Sequence, residues 1–312
     1  MSVFTPVTPA QLDEFLLRYT LGKATALSSI AAGVTNSNYY LDTEAGQFIL
    51  TLYEHHGDDD LDYILGLQQH LGAAGVACAT PVCDRRGAYY STLNQRPAAI
   101  IKRVGGEVIE QPGVVHCLAI GEAMASFHLG GQDYRLSRPN PRGPEWCLIA
   151  CDMLGNELDA SDLQLIGTTL ADYRGLDLQT LPCGSIHADL FHDNALFDGD
   201  ALGGIIDFDY ACDDSFVFDI AVSLNDWAID ANGELVDESV QALLKGYQQL
   251  RSLQANELAA LPLMMRLAAL RFWLSRLYDR VFPPSGELIL SKCPDEFRRM
   301  LVMRSRAESI PL

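Results

Sequence analysis

The chain has 312 residues, enough for one large domain or two smaller ones, and 48% of them are hydrophobic, ample for a buried core. A formal net charge of −19 and only four lysines (Lys23, Lys102, Lys245, Lys292) exclude a partner met through basic surface, such as nucleic acid or an anionic membrane. No apolar run approaches the roughly 18 residues of a spanning helix, MSVFTPVTPA lacks the pattern of a secretory signal, and the eight cysteines lack metal-ligand pairing, so the expectation is a cytoplasmic protein with reduced, mostly buried thiols.

In chain order, TPAQLDEFLLRYTLG opens with a helix start: Thr8 caps, Pro9 fits the first helical position and Gln11 completes a capping box, with Gly22 as the stop. GVTNSNYYLDTEAGQFILTLYE predicts two strands joined by a turn at Glu44 to Gly46. DLDYILGLQQHLGAAG predicts a helix ending at Gly75, and GAYYSTL and AAIIKRV two further strands. The VGGE stretch (Val104 to Glu107) reads as a join, which places a sheet-rich lobe over 1–104 and a larger helical lobe over 105–312. In the second lobe helices are expected at Val114 to Leu129, Pro144 to Leu154, Ser161 to Arg174, Asp219 to Ile229, Asp237 to Leu253 and Glu257 to Tyr278. The fold class is therefore α+β and bilobal, with a small antiparallel-sheet lobe before a mainly helical one.

The stretch IHADLFHDNALFDGDALGGIIDFDYA, from Ile186 to Ala211, concentrates the chemistry. Asp189 and Asn194 follow D-x-x-x-x-N, and an apolar run ends in Asp207. Two such segments side by side would offer one amide and one carboxylate oxygen to magnesium, the number a nucleotide-bound ion takes from protein, and leave Asp189 to receive a hydroxyl proton. Two other readings stand beside this one. An Asp- and Gly-rich loop can be a solvated turn, and His187, Asp189, His192 and Asp193 could serve as ligands of a hydrolytic zinc or iron.

The H-A-D-L-F-H-D-N and I-D-F segments resemble the catalytic elements of kinase-like phosphotransferases, closer to aminoglycoside and choline kinases than to protein kinases because no Arg follows His187. With IAAGVTNSNYYLDT, FILTLYE, DIAVSLNDW and LAALRFWLSRLYDR, the chain resembles the aminoglycoside-phosphotransferase-like homoserine kinases from MSVFTP to CPDEFRRML. The resemblance implies a protein-kinase-like fold, ATP and Mg2+ as cofactors, and L-homoserine as substrate. It places the catalytic base at Asp189 and the magnesium ligands at Asn194 and Asp207. It makes His187 a structural brace, Asp219 a helix-start support of the catalytic loop, and Gly33, Asn36, Ser37 and Asn38 the loop over the nucleotide phosphates. For the substrate, a carboxylate suits an Arg fork and an ammonium suits an Asp or an aromatic face; Asp226, Trp227, Arg271 and Arg276 supply these types. One departure is Thr51, at the strand position where such kinases usually carry a Lys or Arg for the phosphates; Lys23 and Lys102 are the candidate substitutes. A kinase of another small alcohol (choline, ethanolamine, an aminoglycoside) and a non-catalytic nucleotide-binding pseudokinase are the alternatives.

Overall fold

The structure is a computed structural model and describes residues 5–30, 36–283 and 293–306. The chain divides into two compact units, one built from residues up to 74 and from 78–104, the other from 75–77 and most of the chain after 105.

The first unit begins with α1 (Pro9–Leu16), where the Thr8 side chain accepts from the Gln11 N–H and the Gln11 side chain closes the box onto the Thr8 N–H (2.9 Å). The helix stops at Leu16, well before Gly22, in a turn that buries Tyr19 and Leu21. Strands β1 (Ala24–Ser29), β2 (Ser37–Thr43), β3 (Gly46–Leu52), β4 (Ser91–Leu93) and β5 (Arg96–Lys102) form one antiparallel sheet in the order β1-β2-β3-β5-β4. In β2 the period-2 alternation is legible: Tyr39 and Leu41 point inward and Tyr40 outward. GAYYSTL contributes a strand only from Ser91, because the turn before it occupies its first half. Leu12, Phe15 and Leu16 of α1 pack with Leu41, Leu50, Leu52 and Ile100 of the sheet in one core. Helix α2 (Asp58–Ala73) buries Leu61, Ile64, Leu65, Leu67 and Leu71.

The second unit holds α3 (Val114–Gly130), α4 (Pro144–Leu154), α5 (Ala160–Arg174), α6 (Phe216–Trp227), α7 (Asp237–Leu250), α8 (Ala255–Val281) and α9 (Pro294–Arg306). The last helix was not anticipated from the sequence. Between α5 and α6 run the strands that carry the acidic stretch. β7 (Cys183–Ile186) pairs antiparallel with β10 (Cys212–Ser215), and β6 (Glu107–Val108), β8 (Ala195–Asp198) and β9 (Ala201–Ile205) form a second small sheet.

Two sequence expectations need correction. By length and composition α8 would pass for a membrane-crossing helix, but 67% of its most apolar stretch is buried inside the protein, as the central helix of a core would be. The cysteines are free, yet only Cys117, Cys147 and Cys212 are buried, while Cys83, Cys183 and Cys293 are exposed.

Helices α3 and α7 touch through their backbones. A Cβ on Gly121 would lie 2.0 Å from the Leu243 carbonyl oxygen, and one on Gly246 would lie 2.0 Å from that of Leu118. Neither obstacle is a flexible side-chain end, so the helices would have to separate. G121A and G246A should each lower the unfolding free energy in urea by about 3 kcal/mol. G167A, on an exposed turn of α5 with nothing near its Cβ position, should raise it by about 0.5–1 kcal/mol.

Candidate active site

The acidic stretch leaves β7 at Ile186, runs through a loop to a single 3-10 turn over His192–Asn194, and enters β8. One face of α6 holds this loop at four points. Asp219 Oδ2 accepts from the His187 N–H (3.0 Å) and Oδ1 from the Ala188 N–H (2.8 Å). Ser223 Oγ (3.1 Å) and the Trp227 indole N–H (2.9 Å) both donate to the Leu190 carbonyl. Asp226 accepts from the His192 N–H (2.6 Å) and sits 2.8 Å from His192 Nδ1. Residues 219, 223, 226 and 227 recur at the helical spacing, so they form one stripe. These contacts hold Ala188 at φ 61°, in the left-handed region, immediately before Asp189. That conformation costs a non-glycine residue about 1 kcal/mol and persists only where its surroundings impose it.

His187 links the loop to the next segment. Its Nε2–H donates to the Ile206 carbonyl at 3.0 Å, its ring packs 5.2 Å from that of Phe208, and it is fully buried. The Ile206 N–H donates to the Asn194 carbonyl (3.0 Å). Asn194 and Asp207 are thereby fixed within one residue of a shared hydrogen bond. Asn194 Nδ2 also reaches the Asp189 carbonyl (2.8 Å) and Oδ2 (3.2 Å). Arg271 of α8, 3% exposed, places a guanidinium nitrogen 3.1 Å from Asp189 Oδ1. The Asp189 carboxylate is therefore oriented from both oxygens.

Asp207 also has φ 61°. The protein crowding it pushes its carboxyl well above the usual carboxylate range, and the carboxylates of Asp209, Asp189 and Asp193 push it the same way. The residue keeps exposed surface, and the like-charge repulsion on it is what a bound cation would relieve. Arg138 fastens the segment that follows, donating to the carbonyls of Asp209 (2.9 Å) and Ala211 (2.8 Å). Among the described residues no group of three or more His, Cys, Asp or Glu side chains could hold a metal ion by itself. The zinc or iron reading needs His187, Asp189, His192 and Asp193 to converge as ligands, and the described residues hold no such group. An amide and a carboxylate oxygen from Asn194 and Asp207 instead fit magnesium whose other positions are filled by phosphate and water.

The four sequence-derived substrate candidates have other partners. Arg271 is held by Asp189, Arg276 by Glu296 (2.7 Å) and the Cys293 carbonyl, and Asp226 by His192. Trp227 is 2% exposed with its N–H on Leu190. In the first unit Ser37 Oγ donates to Glu54 Oε1 (2.8 Å), Asn36 Oδ1 accepts from the Glu54 N–H, and Asn38 Oδ1 accepts from Thr51 Oγ1 (2.8 Å). Thr51 is thus committed to the strand opposite it, where the pairing register places Asn38. Gly33 lies outside the described residues. Lys23 and Lys102 are exposed.

Comparison with known proteins follows from this geometry. A model of the phosphotransferase enzyme family matches residues 26–253. The chain belongs to that family. A homoserine kinase of Methylobacillus flagellatus is 42% identical to this phosphotransferase over 301 residues, covering 96% of this chain and 94% of that one. A homoserine kinase of Methylobacterium radiotolerans is 42% identical over 311 residues, covering 98% and 97%. Among solved structures, an amicoumacin kinase in complex with AMP-PNP and Ca2+ superposes with a TM-score of 0.72 at 19% identity, covering 94% of this chain and 91% of that one. A microcompartment-associated aminopropanol kinase gives 0.69 at 22%, covering 96% and 94%. These likenesses establish the kinase-like α+β fold of the phosphotransferase.

Behind the site lies a buried relay. Arg251 donates to the Tyr247 hydroxyl (3.1 Å), which lies 2.7 Å from His128 Nδ1, and His128 Nε2 lies 3.0 Å from Asp219. Burial pushes His128 and His187 below the ordinary histidine value. Burial alone would raise Asp219, but the His128 hydrogen bond and the charges and N–H groups around it hold its carboxyl below the usual range. A neutral His128 then donates Nε2–H to Asp219 and accepts from Tyr247. The folded state therefore disfavours protonated His128 and His187, so their contribution is complete above about pH 6.5 and is lost as pH falls below that value. The contribution of Asp219 is present above its unfolded value and is lost only as pH drops through its lowered one. Unfolding free energy measured in urea should accordingly decline from pH 7 to pH 5, and the decline should be shallower in H128Q.

Proposed function

We propose that this protein is an ATP- and Mg2+-dependent homoserine kinase, converting L-homoserine to O-phospho-L-homoserine in threonine biosynthesis. The observation that carries the reading is near-full-length similarity to curated homoserine kinases at about 40% identity. The site geometry supports it. Asp189 accepts the hydrogen bond of the side-chain hydroxyl and takes its proton as the new O–P bond forms to the γ-phosphorus and the bond from that phosphorus to the bridging oxygen breaks, releasing ADP. Arg271 and Asn194 hold the two carboxylate oxygens, so this base meets its substrate already oriented. Asn194 and Asp207 would hold magnesium, which when bound offsets charge on the phosphates. Residues 36–38 are assigned to nucleotide binding through their backbone, since their side chains are engaged within the strand pair and with Glu54. The lobe up to 104 is assigned to nucleotide binding, and 105–312 to catalysis and the acceptor. A cytoplasmic location suits eight free thiols.

Thr51 in place of a basic residue favours one second reading, a nucleotide-binding pseudokinase. ADP release with Mg2+-ATP and a panel of L-homoserine, L-serine, choline, ethanolamine and an aminoglycoside separates the possibilities. Stimulation by L-homoserine alone is expected; stimulation by another member would replace the substrate, and a silent panel would favour the pseudokinase. D189N should reduce kcat by about 10²–10⁴-fold without moving the melting temperature by more than a few degrees. Full turnover in D189N would remove Asp189 from the chemistry.

A further inference from the structure

With Arg271, Arg276, Asp226 and Trp227 engaged elsewhere, the two charged ends of an amino-acid substrate need other partners near Asp189. The second unit has such a set. Two guanidinium groups approach the ring of Tyr210, three residues beyond Asp207: Arg271 at 4.7 Å and Arg142 at 5.9 Å from its centroid. Arg142 also lies 4.2 Å over the ring of Trp146, which meets Tyr278 edge-on at 6.2 Å. Asp279 follows Tyr278 on α8, and the charges of both arginines act on its carboxyl. Arg271 and Arg142 thus flank one ring, and Arg271 joins that ring to Asp189.

The pattern of bonding separates the two arginines. Arg271 is committed to Asp189. Among the described residues the half-buried Arg142 guanidinium has no hydrogen-bond acceptor or ion-pair partner, and the exposed Asp279 carboxylate has no donor. Guanidinium N–H donors held over the Trp146 ring, and a carboxylate one residue beyond the Tyr278 that meets the same ring, match the two ends of a zwitterion. In L-homoserine two methylenes separate the α-carbon from the reacting hydroxyl, so the charged ends must bind close to Asp189, and Arg142 shares the Tyr210 ring with the arginine that holds Asp189.

Building on the homoserine-kinase reading, we propose that Arg142 and Asp279 are the specificity-determining pair, Arg142 binding the substrate α-carboxylate and Asp279 accepting from its α-ammonium. Tyr210 and Trp146 form the wall that keeps Arg142 facing the substrate.

The test compares wild type, R142A, R142K and D279N on three acceptors: L-homoserine, 3-aminopropan-1-ol, which lacks the carboxylate, and 4-hydroxybutanoate, which lacks the ammonium. R142A should raise KM for L-homoserine on the order of 100-fold, with kcat changed far less, and R142K should recover part of the loss. The preference of R142A for L-homoserine over 3-aminopropan-1-ol should fall by a similar factor. D279N should lose preference for L-homoserine over 4-hydroxybutanoate in the same way. Calorimetric dissociation constants for the three compounds give the same comparison where an analogue turns over slowly, and melting curves identify a misfolded variant. Unchanged KM for L-homoserine in R142A and D279N, or an equal loss on all three acceptors, would overturn the pair while leaving the kinase reading intact. A wild type that phosphorylates another panel alcohol but not L-homoserine would overturn the homoserine reading, and this pair with it.

Discussion

The site depends on one helix face. Asp219, Ser223, Asp226 and Trp227 of α6 hold the backbone of the loop that carries Asp189 at residues 187, 188, 190 and 192. A loop of this kind has no ladder of its own, and its buried N–H and C=O groups need partners. The helix supplies them from side chains, and in doing so imposes the left-handed turn at Ala188 that precedes Asp189. The buried Asp219 has the largest share, because the same carboxylate also receives His128. Its charge is spread over two backbone N–H groups and an imidazole, which is how a carboxylate is retained in a core without a cationic partner.

Much of this was legible in the sequence, for physical reasons. Strand alternation in SNYYLDT and the capping box at Thr8 are local, and local patterns survive folding. The five-residue interval from Asp189 to Asn194 is also local, and the structure closes it with a direct hydrogen bond. Long-range partnerships were not legible. Nothing in RFWLSRLYD says that Arg271 turns to Asp189 while Arg276 turns to Glu296, because residue type alone does not distinguish an arginine facing the loop from one facing α9. Helix α9 carries a buried stripe at helical spacing (Phe297, Met300, Leu301 and Arg304), so its pattern was present in the sequence among many charged residues. Arg142 and Trp146 straddle the start of α4, so no helical pattern in the sequence joins them.

The first unit shows how a familiar position can be refilled. At the strand site where a basic side chain is usual, Thr51 donates to Asn38 across the sheet. Glu54 gathers Ser37, Asn36 and Arg96 by hydrogen bonds and an ion pair of 3.0 Å. Residues 36–38, Thr51, Glu54 and Arg96 thus share side-chain bonds that keep the backbone of residues 36–38 in a defined path.

The glycine contact between α3 and α7 has a reach beyond packing. Gly246 directly precedes Tyr247, and His128 lies two turns along α3 from Gly121, so the closeness of the two backbones sets the 2.7 Å span between phenol and imidazole. From there the spacing passes through Asp219 to the loop. The helix pair works as a calliper: its jaw width is set at one end by two glycines and delivered at the other as the position of the loop that carries Asp189. Variation at these distant glycines would therefore be felt in that loop as well as in folding.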